Sequence, residues 1–172
     1  LYGVATLSGI EIFINEIYEK LNEEIGEDNF EVHVVGGMFE TMPKYLQDGL
    51  KKNNIILRGQ VNPADLEFLS ADVLLVPTPI ELGIRVRIIT AFSFGSLVVA
   101  HSANQKGIPE LVDGYNSLVG DNGIELADKI IQVYKKDVDV NKLKENSRKT
   151  YEEQFTPEYF ASQIENAMKE LV

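Results

Sequence analysis

Three glycine-bearing segments hold the side chains whose types and spacing suit chemistry. The first is Gly36-Gly37, directly after the apolar run Val32-His-Val-Val35. Its spacing is not the Gly-x-Gly-x-x-Gly of a dinucleotide site. It reads either as a tight strand-to-helix turn or as a backbone wall beside a nucleotide. The second segment runs from Pro77 to Phe92 and carries Glu81, Gly83, Arg85 and Arg87. Gly83 stands where a helix is expected to begin, and free N–H groups and the helix dipole favour a phosphate there. Arg85 and Arg87 are two positions apart, so on a helix they diverge, one into the crevice and the other outward. Glu81 is either a charge that stabilises the helix start or a site group. The third segment runs from His101 to Val119. His101 follows an apolar run directly, as a satisfied polar residue or a site group, and Gly107, ahead of an expected short helix, also offers N–H groups to an anion. The chemistry on offer is phosphate binding in a glycine-lined crevice, with catalysis by positioning.

Other chemistries find no residues. The chain has no cysteine, which removes disulfides, thiolate zinc sites and thiol nucleophiles. His33 and His101 are its only imidazoles; His33 lies inside an expected strand and reads as structural. Ser93 and Ser96 flank Gly95 without the Gly-x-Ser-x-Gly spacing of a nucleophile elbow. The carboxylates follow no metal-loop or glycosidase pattern, so no metal site is expected. Sixteen basic against 27 acidic residues give a net charge of −11, which disfavours nucleic acid as a partner. An acidic surface also disfavours direct adhesion to anionic lipid. No apolar stretch approaches the roughly 20 residues of a membrane span, and no signal peptide is visible.

The elements that must position these segments follow from periodicity. The chain has 172 residues, about one domain, and is 44% hydrophobic and 25% charged, as globular proteins are. It opens abruptly at Leu1–Ala5, and a fragment beginning in or just after a first strand is expected. Ile10, Phe13, Ile14, Ile17, Leu21 and Ile25 mark an amphipathic helix whose opposite, acidic face is expected to be solvated. Strands are expected at Glu31–Gly37, Ile55–Leu57, Ala71–Val76, Leu97–Ala100 and Ser117–Val119. Between them lie a helix with Met42, Leu46 and Leu50, another from an Asn62 cap and Pro63 through Leu69, and a third from about Arg85 to Phe94, closed by Gly95. A short helix is expected near Ile108–Val112, then an Asp113-Gly114 turn and a helix from Ile124 to Tyr134. Helices over 140–154 and 157–171, the latter with Thr156 as cap, form the tail. Strands alternating with helices make an α/β, Rossmann-like, doubly wound parallel sheet of about six strands, with helices on both faces. Residues 1–172 form a single domain, with 137–172 as closing helices.

At these loops the sequence resembles a known family. Residues 71–119 resemble the C-terminal, nucleotide-sugar-binding domain of the GT-B glycosyltransferases, of the retaining group 1 type. Ala71-Asp-Val-Leu-Leu-Val-Pro77 with Glu81 is similar to the family's strand and acidic loop. Ala91-Phe-Ser-Phe-Gly95-Ser-Leu-Val-Val-Ala100 is similar to its helix end and following strand. Gly107-Ile-Pro-Glu110-Leu-Val-Asp-Gly114-Tyr-Asn-Ser-Leu-Val119 matches its most specific motif. The flanks agree, at Glu31–Gly37, Asn146-Ser-Arg148 and Phe155-Thr-Pro-Glu158.

The resemblance implies a nucleoside-diphosphate sugar as donor, no bound cofactor and no required metal. It implies that Glu81, the catalytic candidate, Leu82, Gly83 and Ile84 meet the transferred sugar and diphosphate, and that Ile108 and Glu110 of the Gly-Ile-Pro-Glu motif belong to the donor site with Gly107 and His101. The family's ribose-binding glutamate falls at Thr90, which offers one hydrogen bond where a carboxylate holds two hydroxyls. Val4 and Ser8 stand where the family often has Arg and Lys, and Arg85 or Arg87 is expected to supply that charge. An N-terminal acceptor domain is the implied partner. Polysaccharide or glycan synthesis in the cytoplasm, at the inner membrane face through that domain, is the implied setting, and this half alone is expected to be inactive. A non-catalytic module with a degenerate donor site and a GT-B-fold nucleotide-sugar epimerase stay open as alternatives.

Overall fold

The computed structural model describes residues 3–37, 39–81 and 83–169. The first helix begins at Val4, with Gly3 as its cap, and runs without a break to Ile25: α1 (Val4–Ile12), a π-helical stretch (Phe13–Tyr18) and α2 (Glu19–Ile25). It starts earlier than the apolar periodicity suggests. The π stretch turns the adjacent residues Ile17 and Tyr18 both into the core, which a regular 3.6-residue stripe spaces less closely.

Strand β1 (Val32–Val35) pairs in parallel with β2 (Ile55–Gly59), and the short α3 (Lys44–Gly49) lies between them in sequence. After α4 (Asp65–Ser70) comes β3 (Leu74–Val76), then α5 (Val86–Ser93), β4 (Val98–His101) and β5 (Leu118–Gly120). These last three strands pair in parallel in the order β3-β4-β5. The described residues thus hold five strands, against about six expected. Helices α6 (Gly123–Tyr134), α7 (Val140–Gln154) and α8 (Pro157–Lys169) complete the chain as the expected helical tail.

Alternate residues of one strand enter two different cores, as strand geometry requires. Leu75, Val99 and Leu118 pack with Phe13, Ile17, Leu21 and the α6 residues Leu126, Ala127 and Ile131. Val76, Val98, Ala100 and Val119 pack on the other side with Ile88, Ala91 and Phe92 of α5. Helices therefore cover both faces, and the strands read as continuous apolar runs because neither face meets water. Val32, Val34 and Ile55 of the two-stranded sheet join the first of these clusters, so both sheets share one core.

Three local expectations are corrected. Asn62-Pro63 is not a cap and first turn: that peptide bond is cis, and α4 starts at Asp65. No helix forms at 108–112. A 3₁₀ helix occupies Ser102–Lys106 instead, because the His101 imidazole caps it by accepting from the Ala103 N–H at 3.1 Å. The acidic face of the first helix is only partly solvated. Glu16 accepts from the Gly123 N–H at 2.9 Å, capping α6, and Lys20 pairs with Asp128 at 2.6 Å. Among the described residues, no helix is long and apolar enough to cross a membrane.

Candidate functional site

Two of the three segments leave the carboxyl ends of β3 and β4, where open α/β sheets bind ligands. The loop leaving β3 begins at Pro77 and delivers the chain to α5. The first helix borders it: a Cβ on Gly9 would meet the Thr78 hydroxyl at 3.2 Å. The Ser102–Lys106 turn braces it from below. The buried Asn104 donates from Nδ2 to His101 O at 2.8 Å and to Thr78 O at 3.3 Å, tying the two strand ends together.

Helix α5 begins at Val86, so Gly83 lies ahead of the helix, with φ +46°. Arg85 is the cap residue, in extended conformation at φ −89°, ψ 91°. The helical-divergence argument therefore does not apply to it, and Arg85 and Arg87 stand near each other. Desolvation by surrounding atoms, and then repulsion from Arg85, hold the Arg87 guanidinium below the usual arginine value, although the side chain is exposed by surface area. Arg85 is half-buried, and its Nε and Nη2 are enclosed without a hydrogen-bond partner. Among the described residues neither arginine forms an ion pair, in a chain of net charge −11. A guanidinium desolvated in this way is costly unless an anion joins it.

The remaining candidates are distributed as follows. Glu81 is exposed on the same loop and pairs at 3.8 Å with Lys106. Leu82 lies outside the described residues. Ile84 is exposed. Thr90 is half-buried one turn along α5 from Arg87, and its carbonyl accepts from the Ser93 hydroxyl at 2.7 Å. His101 accepts at Nδ1, which leaves Nε2 as the donor.

Other candidates have different work. Gly107 does not open a helix: it ends the 3₁₀ turn, and its N–H is spent on Asn104 O at 3.2 Å. Ile108 is a core residue. Glu110 lines a separate cleft of about 290 Å³ with Asn116 and Thr150 of the tail side. Gly36 has φ +146° with open space around it, so the turn it makes, and not a close approach, requires glycine. A Cβ on Gly37 would meet the Gln60 side chain at 3.7 Å, an ordinary contact. His33 pairs with Glu31 at 2.5 Å and with Glu67 at 3.5 Å, in the structural role expected of it.

A cleft of about 520 Å³ lies at the end of β5 beside α6, lined in part by Ser102, Gln105, Asp113 and Val119 of the third segment. Asp113, Asp121, Glu125 and Asp128 line it, with Lys129 as the only base. Those carboxylates disfavour a phosphate in that cleft. Among the described residues no group of three or more His, Asp or Glu is placed to hold a metal ion.

Parallel strands covered by helices on both faces form a Rossmann-like half of a GT-B fold, and solved structures share that fold. The chain superposes on HepE of Anabaena, solved with UDP, with TM-score 0.82 over 99% of this chain and 47% of that one, at 16% identity. A Rickettsia africae glycosyltransferase gives 0.78 over 94% and 44%, at 16% identity. Sucrose-phosphate synthase from Thermosynechococcus elongatus gives 0.76 over 96% and 43%, at 17% identity. The chain spans less than half the length of each of these. No curated protein sequence matches it. Residues 3–136 match the family of glycosyl transferases group 1, and the chain belongs to that family.

Proposed function

We propose that this chain is the donor-binding part of a retaining glycosyltransferase that takes a nucleoside-diphosphate sugar. The observation that carries the reading is the Arg85–Arg87 pair: two guanidiniums at the start of α5, one with two enclosed nitrogens lacking partners, and no acid beside them. A diphosphate supplies the missing negative charge. The helix N-terminus adds N–H groups and a favourable dipole, and partial burial strengthens the attraction over its value in water. The solved complexes of HepE with UDP and with UDP-glucose support this choice of ligand.

In this reading Arg85 and Arg87 neutralise the diphosphate as it leaves, a contribution that grows as charge develops in the transition state. Glu81, on the same loop, meets the transferred sugar, with the backbone of Gly83 and Ile84 beside it. The Thr90 hydroxyl and His101 Nε2 contribute single hydrogen bonds to the nucleotide or sugar. An N-terminal half of the enzyme brings the acceptor, in glycan or polysaccharide synthesis on the cytoplasmic side, and the donor half alone binds without turnover. Metal ions are not required, because the two arginines carry the charge.

Thermal unfolding with UDP, GDP, ADP and dTDP sugars tests the reading. A ligand at 100 times its dissociation constant adds about 2.7 kcal/mol of stability. One selective shift establishes the donor site and names its base. Thr90, in place of the ribose-binding carboxylate, favours a second reading as a module with a degenerate site. Silence from the whole panel at millimolar concentration would select that reading.

A further inference from the structure

Gly107 is glycine for a reason its own backbone does not supply. Its φ of −94° and ψ of −15° are ordinary right-handed values that alanine adopts freely. A Cβ there, however, would run into the Gly83 carbonyl, 2.6 Å from its carbon and 3.2 Å from the Ile84 nitrogen. Carbon atoms pack best about 3.5–4.0 Å apart, so the loop above would have to lift by about 1 Å. Gly83 itself has open space where its Cβ would be and needs glycine only for its φ of +46°. The two glycines thus answer different demands: one lets the loop bend, the other lets it settle.

The seat has three points. Asn104 holds Thr78 through its carbonyl, Lys106 reaches Glu81, and Gly107 receives the Gly83–Ile84 backbone. Arg85 follows one residue later. We propose that Gly107 is a positioning residue for the donor diphosphate: by lacking a side chain it sets the depth of the Glu81–Arg85 loop, and so the place of the Arg85 guanidinium. The ligand in this inference rests on the donor-binding reading above; the loop seat does not.

The test compares the ¹⁵N-labelled chain with Gly107→Ala by NMR, and titrates both with UDP and with uridine. The seat predicts shifted amides at Gly83 and Ile84, a shifted Arg85 Nε–H resonance, and a lower melting temperature with the amides of α6 and α7 unmoved. UDP affinity drops about tenfold, the size of one charge-assisted contact. Uridine affinity stays unchanged, and the variant combining Gly107→Ala with Arg85→Met binds UDP no more weakly than Arg85→Met alone. Shifts confined to residues 104–109, or equal losses for UDP and uridine, overturn the proposal. If the wild-type chain binds no nucleoside diphosphate, the donor-binding reading falls. The Arg85 resonance then still decides the seat: displaced, it stands; undisplaced, it is refuted.

Discussion

Arg85 and Arg87 lie close together at the start of α5, where desolvation first and the Arg85 charge second lower the Arg87 pKa, and among the described residues neither forms an ion pair. The arrangement arises because Arg85 is the last extended residue before the helix and Arg87 belongs to its first turn. Two like charges side by side raise the energy of the empty protein and lower that of an anion complex. Stability and ligand affinity therefore pull in opposite directions at this position.

Replacing Arg85 separates them. Arg85→Met removes two enclosed, unpaired nitrogens and a like-charge contact, and keeps most of the side-chain volume. The free protein should become more stable by about 1 kcal/mol, a rise in melting temperature of about 2–4 °C for a chain of this size. Thermal unfolding with and without UDP reads both effects at once, and a lower melting temperature without ligand would contradict the assignment of Arg85 as an unsatisfied cation.

Glu81 is exposed and only loosely paired with Lys106, so its loss should leave stability within about 0.5 kcal/mol. Its expected role concerns the sugar. Glu81→Gln should weaken UDP-glucose binding about tenfold and leave UDP binding unchanged. Parallel calorimetric titrations distinguish this from a general loop defect, which would weaken both.

Asn116 holds the loop after Gly107 to the tail. Its Nδ2 donates to Glu110 O at 2.7 Å and to the Thr150 hydroxyl at 2.8 Å, and its Oδ1 accepts from the Val112 N–H at 2.9 Å. The residue is buried, so Asn116→Ala leaves the Val112 N–H, the Glu110 carbonyl and the Thr150 hydroxyl each short of a partner. Denaturant unfolding should show a loss of about 2–4 kcal/mol. A loss under about 1 kcal/mol would mean that water replaces the amide.

Glu67 links α4 to the two-stranded sheet. It accepts from Arg58 at 3.0 Å and lies 3.5 Å from His33, and these two partners, Arg58 first, hold its carboxyl below the ordinary glutamate value. The folded pKa is the lower one. The stability it contributes is therefore complete above the unfolded value, about 4.3, and is lost as pH falls through the folded value. Melting temperature measured against pH should fall less steeply below about pH 4.3 in Glu67→Gln than in the wild type. Parallel curves would show that the pair contributes nothing.

The fold was legible because its signals are local. Apolar runs such as Leu97–Ala100 mark strands buried on both faces, and Gly95, at φ +64°, closes α5 as its position indicates. Thr156 caps α8 through its hydroxyl, 3.2 Å from the Tyr159 nitrogen. Errors came where tertiary contacts override local pattern. His101 caps a turn that has no apolar periodicity, so the Ser102–Lys106 helix left no trace in the sequence. Gly107 offers its N–H to an anion only if a short helix follows it, whereas it ends the 3₁₀ turn and that N–H is bonded to Asn104 O. The helix boundary falls one residue later than the pattern indicates, so Arg85 is extended and the divergence of two residues on one helix does not apply to the pair.

The most direct test of the central claim is a calorimetric titration of the chain and of Arg85→Met with UDP. The arginine site predicts saturable one-to-one binding by the wild type, weakened about 10- to 150-fold in the variant. Equal affinity in the two proteins, or no binding of UDP, GDP, ADP or dTDP to the wild type at millimolar concentration, would contradict it.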